Sequence, residues 1–146
     1  MATAKDVAEY LVWLAEHDDS EPMTNLKVQK LLYYVQGFHL AIDGKPLFND
    51  LIEAWIHGPA VSSVFHQYKT HGSDRIQRTV EVDQLDLTPE QKELINDVYR
   101  VYGQFSAGGL RNLTHSEPPW LNTPQGQPIT LSAMKDFFST QVSDGD

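Results

Sequence analysis

Hydrophobic positions along this chain recur mainly at helical spacing. The longest such stretch follows Thr24 and stops at Gly44, and at 100° steps its apolar residues fall on two nearly opposite faces. These faces carry, in turn, Val28, Leu31, Leu32, Val35, Phe38 and Ile42, and Leu26, Tyr33, Gly37 and Leu40. A helix that is apolar on both faces must lie between other elements. We therefore predict a central helix over about residues 25–43.

Five shorter helices are predicted around the central one. Each begins at a residue that can cap a helix or at a proline suited to its first turn. These starts are Thr3, Pro59, Thr88, Ser106 and Thr130. The pair Pro118-Pro119 is predicted to stop any helix from continuing through residues 114–120, because proline removes a backbone donor and clashes with the preceding turn.

Two segments show the alternation expected of extended chain. In residues 51–56, apolar residues alternate with Glu53 and Trp55, which places these two side chains on one face. Residues 76–82 alternate loosely and predict either an edge strand or an exposed loop. The predicted fold is mainly α: a compact single domain of about six helices around the central helix, with at most a small β element near 51–56 and 76–82.

Length and composition favour one globular domain in a reducing compartment. The 146 residues, 40% of them hydrophobic, are typical of a single core, which we assign to residues 1–142, with 143–146 as a frayed tail. The absence of cysteine excludes disulfides and thiolate metal sites. Because no leader-like segment or apolar run of ~20 residues is visible, we expect a cytoplasmic protein that does not enter the membrane.

The charge balance limits the kinds of molecule that this protein is expected to bind. Eleven basic against twenty acidic residues give a formal net charge of −9, which repels nucleic acid and anionic membranes at long range. A neutral or basic partner is favoured, and no direct nucleic-acid binding is expected because no basic stripe is visible. The alternative interpretation is that the charge serves only solubility.

One charged residue interrupts the second apolar face of the central helix. Lys30 falls between Leu26 and Tyr33, where an ammonium group must either reach out to solvent or find a carboxylate. Both outcomes remain open at this point. If an ion pair forms, Glu53 is the first candidate partner and Glu117 the second.

The residues offer little catalytic or metal-binding chemistry. No His-Glu-x-x-His motif, phosphate-binding glycine loop, nucleophile elbow or cysteine nucleophile is present. A metal site assembled from His57, His115 and Glu117 remains conceivable, but no cofactor is expected. A catalytic interpretation would rest on Lys30, Glu53, His57 and His115, although structural ion-pair clusters are commoner than catalytic ones.

Large amphipathic side chains are concentrated beside turn-forming residues. They are Tyr33, Tyr34, Trp55, His57, Pro59, His115 and Trp120. Aromatic residues in loops suit protein recognition, because they supply buried area together with a polar group. The competing interpretation is that these side chains close the core.

Three blocks of sequence resemble the SocA-like antitoxin domain, also called the Panacea domain, of bacterial and prophage toxin–antitoxin pairs. The blocks span residues 23–34, 46–59 and 113–120 and include Ile52-Glu-Ala-Trp-Ile-His-Gly-Pro59 and Leu113-Thr-His-Ser-Glu-Pro-Pro-Trp120. Ala60 departs from the valine that the family more often places after Gly-Pro. The order and spacing of the blocks cover nearly the whole chain.

The resemblance implies a helical antitoxin that neutralises a cognate toxin, encoded by a neighbouring gene, through direct binding in the bacterial cytoplasm. Family positions map to Lys27, Lys30, Tyr33, Glu53, Trp55, His57, Gly58, Pro59, His115 and Trp120. With Tyr34, we take these as partner-binding or groove-lining residues, some of which hold the scaffold. The alternatives are an adaptor that presents a partner to a protease and an enzyme that uses the Lys, Glu and His cluster.

Overall fold

The structure, a computed structural model, describes residues 1–18 and 22–142. This part of the chain forms seven α-helices: α1 Ala4–Glu16, α2 Asn25–Asp43, α3 Ser62–Tyr68, α4 Pro89–Tyr102, α5 Ala107–Thr114, α6 Pro118–Leu121 and α7 Leu131–Ser139. A hairpin joins β1 Glu53–Trp55 to β2 Gly58–Ala60. The mainly α prediction is confirmed. The predicted tail at 143–146 lies outside the described residues.

The central helix α2 is surrounded by other elements, as its two apolar faces predict. Helices α1, α3, α4, α5 and α7 and strand β2 all pack against it. Thr24 caps the start of α2 by accepting a hydrogen bond from the Lys27 amide at 3.2 Å, and Gly44 ends it in the left-handed conformation at φ 86°. Ile42 departs from the prediction: it lies in the last turn and is 62% exposed.

Close packing of α7 on α2 depends on a glycine. A Cβ atom at Gly37 would lie 2.1 Å from the ring of Phe138, so the ring occupies space that any other residue would fill. Phe138 packs edge-on against Tyr33, with ring centroids 5.2 Å apart, and Tyr34 stacks on Tyr102 at 4.1 Å. These aromatic contacts form the part of the core beside α4 and α7.

Residues 76–82 form an irregular loop followed by a 3-10 turn at Val82–Gln84, so the possible β element there is not found. The backbone amides of Thr79 and Val80 donate to the Glu9 carboxylate of α1 at 2.6 and 2.7 Å. Tyr68 donates its hydroxyl to the same buried carboxylate. Because α1 supplies these acceptors, the loop needs no strand partner.

The hairpin changes where α3 begins. Pro59 was expected in the first turn of α3, but it belongs to β2, where it pairs with Ala54, and α3 begins at Ser62. Beyond the other edge of β1, Ala54 donates to the Gln127 carbonyl at 2.9 Å and Ile129 donates to the Ile52 carbonyl at 2.7 Å. Strand β1 therefore lies between β2 and a segment more than 70 residues further along the chain.

The two tandem prolines start a helix instead of preventing one. Pro118 and Pro119 occupy the first turn of α6, where backbone amides have no partner within the helix and proline's fixed φ suits the geometry. This short helix accounts for the difference between seven helices and the predicted six. Within the described residues, no helix is both long and apolar enough to cross a bilayer.

Candidate functional site

An open cleft of about 400 Å³ lies between the first turns of α2, the hairpin, α3 and the start of α5. Its lining includes Leu26 and Lys30 of α2, Trp55 and His57 of the hairpin, Phe65 of α3 and Ala107 of α5. Trp55 and Phe65 meet edge to face with ring centroids 5.1 Å apart. The cleft is therefore mainly apolar and aromatic, with a lysine and a histidine in its wall.

Lys30 neither reaches solvent nor pairs with a carboxylate. It is 1% exposed, and its Nζ donates to the Pro59 carbonyl oxygen at 2.9 Å. Burial, together with the smaller effect of the nearby positive charge of Arg111, lowers the pKa of Lys30 to about 7. Both predicted outcomes are wrong because a backbone carbonyl of β2, which lies against α2, is the acceptor.

The two carboxylates that were expected near Lys30 have other partners. Glu53 accepts a hydrogen bond from the indole Nε1 of Trp55 at 2.8 Å, as their placement on one face of β1 allows. Glu117 accepts the hydroxyl groups of Tyr33 and Tyr34, each at 2.9 Å. Burial raises the pKa of Glu117 to about 6, while the two tyrosine hydrogen bonds oppose the rise.

Gly58 lets the hairpin approach Lys30 closely. Its φ of +113° lies in the region that favours glycine, and a Cβ there would stand 2.8 Å from both Lys30 Cε and Thr114 Oγ1. Gly58 and Pro59 are both buried. Their positions make them supports that hold the hairpin against α2 and α5.

His57 lines the cleft, and Arg111 lies next to it. His57 is exposed, and its Nδ1 accepts a hydrogen bond from Nε of Arg111 at 3.3 Å. Nδ1 is the acceptor here because a guanidinium nitrogen can only donate. Arg111 lies four residues after Ala107, one turn along the α5 face that meets the cleft.

His115 and Trp120 form the support behind the hairpin. Their rings stack with centroids 4.0 Å apart and an interplanar angle of 10°, and Trp120 Nε1 donates to the Trp55 carbonyl at 2.8 Å. Burial lowers the pKa of His115, and the positive charges of Arg111 and Lys30 add to this effect. Within the described residues, His115 Nε2 is buried without a hydrogen-bond partner.

The structure divides the residues that the sequence proposed as partner-binding or groove-lining. It brings Lys30, Trp55 and His57 together at the cleft and leaves Glu53 half-buried beside Trp55. Tyr33 and Tyr34 lie in the core, as does Lys27, whose Nζ donates to the Gly103 carbonyl at 2.7 Å. The remaining members, Gly58, Pro59, His115 and Trp120, hold the hairpin in place.

The described residues are not arranged as the catalytic or the metal-binding alternative would require. The acidic and basic groups considered for catalysis are each engaged with a different structural neighbour. Within residues 1–18 and 22–142, no three His, Asp or Glu side chains are grouped closely enough to hold a metal ion. His57, His115 and Glu117 are therefore not assembled into the metal site that the sequence left conceivable.

Several residues of the site had no recognisable signal in the sequence. Arg111 is a single basic residue in a short helix, and Phe65, which lines the cleft, has the helical spacing of an ordinary core residue. Gln29 also lines the cleft. Its Oε1 accepts a hydrogen bond from the Val61 amide at 2.7 Å, which fixes the residue that follows β2. A buried glutamine on a predicted apolar helix was the only available hint.

Comparisons with known proteins identify the family to which the chain is related. Residues 28–121, more than half of the chain, match the family described as antitoxin SocA-like, Panacea domain. The chain is also similar to a protein named Antitoxin SocA from Caulobacter vibrioides (strain NA1000 / CB15N), at 33% identity over 139 residues, covering 82% of this chain and 74% of that protein. No solved structure matches the chain. On the family match and this identity together, the chain belongs to the SocA-like antitoxin family with a Panacea domain.

Proposed function

We propose that this protein is an antitoxin that neutralises a cognate toxin protein by binding it directly, without chemistry of its own. The toxin is expected to be the product of a neighbouring gene. The observation that carries this proposal is the open cleft around Trp55, His57 and Phe65, which exists in the unbound chain. A preformed apolar recess with aromatic walls is the kind of surface at which a few residues of a partner supply most of the binding energy.

The rigidity of the cleft supports recognition by a fixed surface. Both sides of β1 are hydrogen-bonded, Trp120 holds the Trp55 carbonyl, and Gln29 holds the Val61 amide. A wall secured in this way loses little conformational freedom when a partner binds, so more of the contact energy contributes to affinity.

The engagement of the titratable groups supports a non-enzymatic role. Lys30 donates to a carbonyl, Glu53 accepts from Trp55, and His57 accepts from Arg111. None of these contacts joins a nucleophile to a general base, which is the arrangement that acid–base or covalent catalysis requires. Binding therefore accounts for the cleft more simply than turnover does.

Co-expression with the product of the neighbouring reading frame tests the proposal. The expected result is that the wild-type chain restores growth and that the two proteins elute together in size-exclusion chromatography. Persistent growth arrest together with separate elution would contradict the proposal.

A pair of matched variants tests whether the cleft is the contact surface. Leu26→Arg places a long cationic side chain in the cleft and is expected to weaken toxin binding by about tenfold or more. Leu131→Arg makes the same change on the exposed start of α7, where Leu131 is 46% exposed, and should bind as the wild type does. Equal binding by the two variants would place the contact surface elsewhere.

A further inference from the structure

Basic groups gather at one side of the cleft, although the chain as a whole is strongly acidic. Lys30 lines the cleft, His57 stands at its edge, and Arg111 is hydrogen-bonded to His57 at 3.3 Å. The ring of His115 lies close enough to this group for Arg111, Lys30 and His57 all to lower its pKa. Lys30 and His57 thus line the cleft itself, and Arg111 and His115 lie next to them.

Negative charge does not balance this group. Within the described residues, neither Lys30 nor Arg111 forms an ion pair, whereas Arg78 pairs with Glu16 and Arg100 with Asp97. Glu53 is the carboxylate on the adjoining strand, and one of its oxygens is taken by the Trp55 indole. The positive charge of Arg111 disfavours the charged form of Lys30, and an added anion beside them would relieve that repulsion.

Donor capacity is also left over. The Lys30 ammonium has three protons, and the described structure gives it one acceptor, the Pro59 carbonyl. Arg111 uses Nε toward His57 and one amino nitrogen toward Asn112 Oδ1 at 3.5 Å, which leaves its other amino nitrogen for an external acceptor. A carboxylate matches a guanidinium in shape as well as in charge.

We propose that the cleft receives an aspartate or glutamate side chain of the protein partner, bound at its edge by Arg111 and His57 and attracted by Lys30 beneath. The neighbouring apolar atoms of that partner segment pack on Trp55 and Phe65. This inference rests on the proposed function, and it specifies the chemistry of the partner at the contact. A nucleic acid phosphate is disfavoured because the net charge of −9 repels a polyanion at long range. A single carboxylate on a protein is affected mainly by the basic side chains next to it.

Charge reversal at the edge of the cleft tests the proposal with the purified product of the neighbouring reading frame as the probe. Arg111→Glu is expected to weaken binding by about thirtyfold or more and Arg111→Gln by about tenfold, because a buried charge contact is lost in each case. Lys135→Glu is the matched control: it makes the same charge change on α7 beside Gly44, about 21 Å along α2 from Lys30. This control should bind as the wild type does.

Two further measurements separate charge recognition from loss of folding. The thermal midpoints of the Arg111 variants should not fall clearly below the wild-type value, since each substitution removes a positive charge that repels Lys30. Each aspartate and glutamate of the toxin is then substituted in turn with lysine. At one position the lysine should restore binding to Arg111→Glu by about tenfold or more, because the toxin's new positive charge then pairs with the new glutamate.

The outcomes distinguish this inference from the proposed function. If the wild-type chain does not bind the toxin, the proposed function fails. If the wild-type chain binds and Arg111→Glu binds equally well, only the carboxylate inference is overturned. Binding of a single-stranded RNA oligonucleotide that is lost in Arg111→Glu, with toxin binding unaffected, would also overturn it and assign the basic group to nucleic acid.

Discussion

Lys30 combines two features at the scale of single residues: it is buried, and a neutral carbonyl is its hydrogen-bond acceptor. Burying a charged ammonium beside a neutral carbonyl costs free energy, so the folded state favours the neutral amine more than the unfolded state does. The pKa of Lys30 is therefore lower in the folded protein. The folded-state pKa of about 7 lies below the usual lysine value of 10.5. The group therefore couples folding to pH in the range between these two values.

The effect of Lys30→Met on stability should depend on pH. A group with a lowered folded pKa contributes stability above its unfolded pKa, and this stability is lost as pH falls through about 7. The variant should therefore gain about 2–3 kcal/mol relative to the wild type on going from pH 9 to pH 6. Urea unfolding of both proteins at pH 6, 7.5 and 9 measures this, and a constant difference would contradict it.

Substituting Gly58→Ala should destabilise the fold strongly, because the new Cβ meets Lys30 and Thr114 and the residue has φ +113°. We expect a loss of about 2–4 kcal/mol in urea unfolding at pH 7.5. Gly108→Ala is the matched control in α5, where nothing lies within 4 Å of the added atom, and it should gain about 0.5–1 kcal/mol. Losses of similar size in both variants would refute the steric explanation.

Charged residues show what the sequence could predict at this scale. It placed Lys30 inside an apolar face and put Glu53 beside Trp55, and both placements are confirmed. It could not identify the acceptor of Lys30, because a backbone carbonyl has no residue type to recognise. It also could not foresee that two adjacent tyrosines would occupy both oxygens of Glu117 from a distance of more than 80 residues.

At the scale of elements, helix α1 takes the place of a strand partner for the loop at residues 76–82. One oxygen of the buried Glu9 carboxylate accepts from two amides and from the Thr79 hydroxyl, and Tyr68 bonds the other oxygen. The loose alternation of this segment was compatible with a strand, but alternation does not reveal which acceptors its amides use.

Substituting Glu9→Ala should therefore cost far more than removing a nearby surface carboxylate. We expect a loss of about 3–5 kcal/mol, since buried amides and a hydroxyl are left without acceptors. Glu16→Ala, in the same helix, removes an exposed contact to Arg78 and should cost about 1 kcal/mol or less. Amide exchange at residues 79 and 80 should accelerate only in Glu9→Ala, and protection there in that variant would contradict this account.

Element boundaries show the limit of sequence-based prediction at this scale. The caps Thr3, Thr24, Thr88, Ser106 and Thr130 are all confirmed, because capping depends on a local side chain. The predicted start of α3 was wrong because Pro59 pairs with Ala54 in the hairpin. The outer edge of that hairpin is held by residues 127 and 129, which no local pattern could indicate. At α6 the prolines were recognised, but their favourable use at a helix start was overlooked.

At the scale of the whole molecule, an acidic chain carries its basic side chains unevenly. Net charge of −9 produces mutual repulsion in the compact state, which dissolved salt screens. The basic group near the cleft is too small to offset this repulsion globally. Stability and partner binding should therefore respond to salt in opposite directions.

Raising NaCl from about 0.02 to 0.3 M at pH 7.5 should raise the thermal midpoint of the free protein by a few degrees, because screening shortens the range of the repulsion. Near pH 5, close to the isoelectric point of about 5.0, the same change should have little effect. Differential scanning fluorimetry at both pH values measures this. An equal response at the two pH values would show that charge repulsion is not the cause.

The fold class and the central helix were predictable from the whole chain because they follow from helical periodicity and composition. The cleft was only partly predictable: Lys30, Trp55 and His57 were identified, whereas Phe65 was missed as a lining residue and Arg111 as the neighbour of His57. A cleft is formed by segments that meet only in the folded chain. Its members from α3 and α5 have no shared spacing that a sequence could display.

The position of β1 between β2 and residues 126–129 has a consequence for synthesis on the ribosome. Trp55 and His57 are translated early, yet the hydrogen bonds that fix their strand come from Trp120, Gln127 and Ile129. An unfinished chain possesses the recognition side chains without the supports that hold them in place. If the cleft is the contact surface that we propose, capacity to bind should arise only after residues 120–129 have been synthesised, and products truncated before them should leave the partner unrestrained.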